Sequence, residues 1–243
     1  MRPQVVLLVV SLLVSPVCGQ SLLQAQPVEG PVLPIVGSPT AAAAHDLDAD
    51  GDDDLVVMED TGPVILRKQP AGFVRETFAS GLTSGVVPAV LAGDFDADGQ
   101  ADLLLGWYWG VNAALRVWWG DGSGTFPVPN FTIITFSSNV GPMPIAAADV
   151  DNDGDTDFVF TSQPGYGTPG SLLVRNLGNR AFAVASAAQF PAAPPSFSVP
   201  FCVDVDGDGW RDVVLVSENA RTRLYWNNAG NFIEATTAQF PVI

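Results

Sequence analysis

A chain of 243 residues with 26 acidic side chains, 10 basic ones and a single histidine carries a net charge of −16. That balance excludes phosphate-rich partners, because nucleic acids and anionic membrane surfaces need clustered Lys and Arg. Past the N-terminal segment, no stretch approaches the roughly 20 apolar residues of a membrane-spanning helix.

Residues 1–19 have the layout of a secretory signal: Arg2, an apolar run from Val5 to Val14, then Pro16 and Val17-Cys18-Gly19. Cleavage is expected after Gly19, giving a secreted or cell-surface protein. Val17 before Cys18 argues against a lipid anchor. After cleavage Cys202 stands alone between Phe201 and Val203, as an inert, buried thiol. Residues 20–39 are rich in proline, and an outer strand that latches the last unit of the fold is expected there.

From residue 40 one pattern recurs, Asp-x-Asp-x-Asp-Gly-x-x-Asp. Its copies run over 46–54, 94–102, 149–157 and 204–212, and their starts are 48, 55 and 55 residues apart, the mark of a repeat architecture. Alternate carboxylates converge when such a loop curls: Asp46, Asp48 and Asp50; Asp94, Asp96 and Asp98; Asp149, Asp151 and Asp153; Asp204, Asp206 and Asp208. Hard oxygen donors at this density suit Ca²⁺, about four ions in all. The sixth position is glycine in every copy, as a turn with positive φ requires. The seventh, which offers only its carbonyl, varies among Asp52, Gln100, Asp155 and Trp210, the last read as a lid on its site.

An EF-hand would close on an acid at position 12, but here that position is Val57, Leu105, Phe160 or Leu215. The closing acids come earlier, at Asp54, Asp102, Asp157 and Asp212, and short apolar runs of strand type follow. Each loop therefore joins two strands. The four loops hold 19 of the 26 acidic residues, so four calcium ions would bring the charge from −16 to −8. Without metal, a like-charged pair at 4 Å costs about 4 kcal/mol at an effective dielectric of 20.

Each unit opens with a strand of small residues, as in 41–44, 90–93 and 145–148, and has a third strand at 64–66, 115–118, 172–174 or 224–226. A Gly/Asn turn then leads to Phe73, Phe126, Phe182 or Phe232 in a fourth strand. Four strands per unit of about 50 residues match the blades of a β-propeller. The predicted fold is all-β, with blades at about 40–79, 88–137, 143–188 and 198–238.

The acidic loop, the apolar triplet after it and the Asn/Gly turn before Phe resemble the FG-GAP or VCBS repeats of integrin-α-like propellers. The resemblance covers nearly all of the chain beyond residue 40. It implies Ca²⁺ ligation by the side chains at loop positions 1, 3, 5 and 9 and by the carbonyl at position 7. It also implies seven blades, so four make either a small ring, an incomplete one finished by oligomerisation, or a fragment.

The resemblance places ligand binding on the face away from the loops, with a glycan or a protein as the expected partner. Candidates on that face are Trp107, Tyr108 and Trp109, read as a loop cluster, and Tyr166. Packing between blades is the alternative role for the tryptophans, and Trp118, Trp119 and Trp226 are expected to pack. No catalytic set assembles around His45. An extracellular polysaccharide-active hydrolase or lyase and a structural spacer remain the alternative readings. Asn130-Phe131-Thr132 is a glycosylation sequon in a eukaryotic host.

Overall fold

The computed structural model describes residues 33–78, 86–109, 112–136, 145–161, 170–191, 193, 198–217 and 220–235, with backbone alone at 86–88, 107–109 and 112–114. Residues 1–32, which include the segment expected to be a secretory signal, lie outside the described residues. The fold is all-β: sixteen strands form four antiparallel four-stranded sheets.

Blade 1 contains β1 (Ala41–His45), β2 (Asp54–Glu59), β3 (Gly62–Gln69) and β4 (Gly72–Thr77). Blade 2 contains β5 (Val86–Gly93), β6 (Asp102–Trp109), β7 (Asn112–Trp118) and β8 (Phe131–Thr135). Blade 3 is built from β9 (Ile145–Ala148), β10 (Asp157–Thr161), β11 (Ser171–Asn176) and β12 (Phe182–Val184). Blade 4 has β13 (Ser198–Val203), β14 (Asp212–Ser217), β15 (Arg223–Asn228) and β16 (Asn231–Glu234).

Within each sheet the strands follow chain order, so each blade is a simple meander. The first strands of successive blades, β1, β5, β9 and β13, are neighbours in series. Among the described residues β13 makes no contact of comparable extent with β1.

Side chains alternate across a strand, so each blade has two faces. One face of blade 1, with Val56, Met58 and Ile65, packs on Leu103, Leu105 and Trp118 of blade 2. The opposite face of blade 2, with Leu104 and Val117, meets Phe158 and Phe160 of blade 3. Blade 3 then offers Val159 and Leu173 to Val213, Leu215 and Tyr225 of blade 4. The second residue of each preceding acidic loop, Leu47, Phe95 or Val150, is buried in the same junction. Trp118 and Trp119 are fully buried, and Trp226 is half-buried in β15.

Two expectations need correction. Trp107, Tyr108 and Trp109 belong to strand β6, paired with 112–114, and not to a loop, because aromatic residues favour the pleated ladder and β6 continues to the hairpin. Phe126 precedes the fourth strand of its blade and is buried in the first junction; Pro127 and Pro129 lack the N–H groups a ladder needs and delay β8 to Phe131. Of the segment 20–39, where a latching strand is expected, only 33–39 are described, and these form no strand. Leu33 and Ile35 pack on blade 1, and the Val36 amide donates to Glu59 Oε1 at 3.0 Å.

Candidate metal centres

The four acidic loops join the first and second strands of their blades, so the meander places them at the same end of each sheet as the turns between the third and fourth strands. Each loop is wound by its own carboxylates. The first aspartate accepts the amide of the sixth-position glycine: Gly51 to Asp46 at 3.0 Å, Gly99 to Asp94 at 2.9 Å, Gly154 to Asp149 at 3.0 Å and Gly209 to Asp204 at 3.0 Å. The fifth accepts the amide of the seventh residue, 2.9 Å in all four loops. These bonds hold the sixth position at φ between 84° and 97°, where glycine is nearly obligatory.

The fourth position is also left-handed, a requirement that the repeated motif did not reveal. Ala49, Ala97 and Asn152 sit at φ 55–58° and Gly207 at 80°.

The closing aspartates are buried and anchor the loop to the sheet. Asp102 accepts the amides of Phe95 and Gly120, both at 2.9 Å. Asp157 accepts those of Val150 (3.1 Å) and Asn176 (2.8 Å), and Asp212 those of Val205 and Asn227, each at 2.9 Å. Burial drives the Asp102 and Asp157 carboxyls up to about 7, outweighing the amide bonds that favour the charged form. Asp48, Asp151, Asp155 and Asp212 are raised as well, by burial first and then, in most, by neighbouring aspartates.

In each loop three carboxylate oxygens lie within 4.8 Å of one another. Asp94, Asp96 and Asp102 contribute them in the second loop, Asp149, Asp151 and Asp157 in the third, and Asp204, Asp206 and Asp212 in the fourth. The first loop differs: its set is Asp46, Asp48 and Asp50, while Asp54 binds Arg67 Nη1 at 2.7 Å. Asp48 Oδ1 and Asp151 Oδ1 are buried without a hydrogen-bond partner. Buried, unpaired, clustered oxygens are what a hard cation satisfies, so these clusters can hold a metal ion and suit calcium.

Arginines also enter the loops, a feature not foreseen from the motif. Arg180, in the turn of blade 3, reaches into the second loop, with Nε 2.6 Å from Asp96 and Nη2 3.6 Å from Asp98; its guanidinium lies 4.7 Å from the Trp119 ring. Arg175 pairs with Asp151 and donates to the Gly230 carbonyl of blade 4. Arg67 donates to the Gly124 carbonyl of blade 2.

A model of the FG-GAP-like repeat matches residues 46–105, 106–160 and 204–242. The chain belongs to the FG-GAP-like repeat family. The first two matched segments each span parts of two successive blades, and the third begins at the acidic loop of blade 4. No curated protein matches this FG-GAP-like chain. Among solved structures, a lectin of Agrocybe aegerita, described as recognising non-reducing terminal N-acetylglucosamine, is similar to it with a TM-score of 0.52 and 18% identity. The match covers 82% of this chain and 52% of the lectin, so the chain spans about half of that protein's length. Such a likeness supports a propeller-like fold. Repeat family and fold fit a binding module.

Of the residues expected to face a ligand, Trp107, Tyr108 and Trp109 lie on β6 next to the hairpin opposite the loops. Tyr166 lies outside the described residues. His45 ends β1 beside the first loop and lines a cleft of about 230 Å³ with Asp46, Asp94 and Gln100. Cys202 is half-buried against the third junction, and burial pushes its thiol up to about 12, consistent with an unreactive role.

Proposed function

We propose that this FG-GAP-like chain is an exported, calcium-stabilised propeller module that binds a glycan or a protein. The observation that carries the reading is the set of four loops in which three carboxylate oxygens converge within 4.8 Å, two of the loops with a buried oxygen left unpaired. The residues to hold an ion are Asp46, Asp48 and Asp50 in the first loop, and positions 1, 3, 5 and 9 in the other three. The carbonyls of Asp52, Gln100, Asp155 and Trp210 complete the sets. Bound calcium neutralises carboxylates that otherwise repel one another or take up protons. The chain's own residues do the positioning: closing aspartates tie each loop to its sheet, and arginines and asparagines tie it to the next blade.

Export is supported by the apolar segment after Arg2 and by the suitability of weak calcium sites to extracellular calcium concentrations. The binding role is supported by the repeat family and by the lectin neighbour, whose recorded ligand is a terminal sugar.

Calorimetric titration of the chain with calcium tests the metal reading. Uptake of about four ions with a marked rise in Tm supports it, and no heat and no stabilisation refutes it. A glycan array probed in calcium tests the ligand class. Saturable sugar binding abolished by Trp107→Ala and Trp109→Ala is the expected result; unchanged binding by those variants would move the ligand face elsewhere.

A further inference from the structure

The four acidic loops differ in what meets the closing aspartate. One oxygen of each accepts a backbone amide from the end of the third strand: Lys68 on Asp54 at 2.7 Å, Gly120 on Asp102, Asn176 on Asp157 and Asn227 on Asp212. The residue just before that amide is Arg67, Trp119, Arg175 or Trp226, so one position beside each loop alternates between a cation and an indole. The second oxygen sets the first loop apart. On Asp102, Asp157 and Asp212 it accepts the amide of the loop's own second residue, Phe95, Val150 or Val205. On Asp54 it accepts Arg67 Nη1 at 2.7 Å, and Asp48 lies 3.8 Å from the same nitrogen.

The other two arginines hold their loops differently. Arg175, at the matching position of blade 3, takes Asp151 and leaves Asp157 in the converged set. Arg180 reaches the second loop from the next blade with 38% of its side chain exposed, so it can swing away. Arg67 has no such freedom: its side chain is 6% exposed, Nε lies 3.2 Å from Glu76, and Nη2 donates to the Gly124 carbonyl of blade 2. Gly124 leaves room for it, because a Cβ there would collide with both terminal nitrogens. The carboxylates that converge in the first loop are Asp46, Asp48 and Asp50, without Asp54, and Asp52 and Asp53 are exposed.

We infer that Arg67 is the resident cation of the first loop, holding that loop in shape without metal and making it the last of the four to take calcium. An ion that used Asp54 would strip the guanidinium of its partner and leave a buried charge unpaired, which is strongly unfavourable. An ion that left the pair intact would have three carboxylates and a positive charge beside it. The other three loops offer their closing carboxylate together with those at positions 1 and 3. The inference rests on the calcium reading of those three loops and adds to it an order of filling.

Hydrogen exchange of the full chain, followed by mass spectrometry at stepped calcium concentrations, tests it, because peptides over 46–54, 94–102, 149–157 and 204–212 report each loop by itself. In chelator the first loop is expected to be the best protected of the four. Its calcium midpoint is expected about tenfold or more above the others, since ligand charge count tunes such sites over decades. Arg67→Gln is expected to lose the protection in chelator and to bring the midpoint of 46–54 down to the range of the other loops, an effect that a merely structural arginine would not produce. Should that variant fail to fold, the order of the loops in the wild type decides alone. A first loop that fills with or before the others overturns the inference, and so does an unshifted midpoint in Arg67→Gln. If 94–102, 149–157 and 204–212 all ignore calcium, the calcium reading itself is refuted, and the order of filling falls with it.

Discussion

Asn227 of blade 4 donates its side-chain amide to the carbonyl of Val150 in the acidic loop of blade 3, at 2.7 Å. The same side chain donates to Arg211 O at 2.9 Å and accepts the Gly230 amide at 2.8 Å, while its backbone N–H closes on Asp212. One residue thus fixes its own loop, its own turn and the neighbouring loop. Asn176 repeats the arrangement one junction earlier, on Phe95 O, Gly178 and Asp157. Asn227→Ala leaves a buried carbonyl and a buried amide without partners, so a loss of about 2–3 kcal/mol is expected. Urea unfolding checks it; a loss below about 0.5 kcal/mol would show that water replaces the side chain.

If the proposed calcium reading holds, the buried closing aspartates should make stability depend on pH in opposite directions with and without metal. Asp102 and Asp157 stand near 7 in the metal-free fold, above the unfolded carboxylate value. The folded state therefore holds more protons, and the stability these groups contribute is full at low pH and lost as pH rises toward and through 7. In chelator, Tm should be higher at pH 5 than at pH 8. In calcium the order should reverse, because the metal requires both carboxylates ionised and competes with their protons. Thermal melts at the two pH values decide the matter, and the same slope in both buffers would rule out the closing aspartates as ligands.

Much of this molecule was legible in the sequence. The acidic motif fixes a turn between strands whichever blade carries it, and the apolar triplets after Asp54, Asp102, Asp157 and Asp212 can only be buried strands. The third strand of each blade was legible for the same reason. The extent of β6 was not, because Trp107 to Trp109 favour a strand and a loop site equally until partners at 112–114 are known. The arginines in the loops were hidden as well. Arg180 lies 84 residues from Asp96, and no local pattern announces a contact set by the packing of neighbouring blades. Asn176 and Asn227 were visible only as turn residues, and their reach into the preceding loop is a property of the junction.

Arg180 acts as a built-in cation at the second loop. Its charge offsets those of Asp96 and Asp98 and, on the proposed calcium reading, would oppose the incoming ion. The guanidinium is partly exposed, so the effect is screened to within about 1 kcal/mol. Arg180→Ala should therefore lower Tm in chelator while tightening one calcium site several-fold. Calorimetry on the variant checks this; weaker binding at that site would mean that Arg180 chiefly positions Asp96.

The two left-handed positions of each loop should respond differently to substitution. In the fourth loop Gly207 (φ 80°) stands where the first two loops have Ala49 and Ala97, both at 58°. Those alanines show that a Cβ is compatible with the fold there, and nothing lies within 4 Å of one built on Gly207. Gly207→Ala should cost about 1 kcal/mol or less, since the restricted unfolded chain offsets part of the strain. Gly209 (φ 91°) has glycine counterparts in every loop, and it too has open space around it, so backbone strain alone sets the cost of Gly209→Ala. That variant should be the more destabilised by more than 1 kcal/mol and should lose calcium uptake at the fourth loop, while Gly207→Ala keeps it. Paired denaturation and calcium titrations of the two variants test the difference, and equal losses would show that the fourth loop relaxes to another conformation when either glycine is replaced.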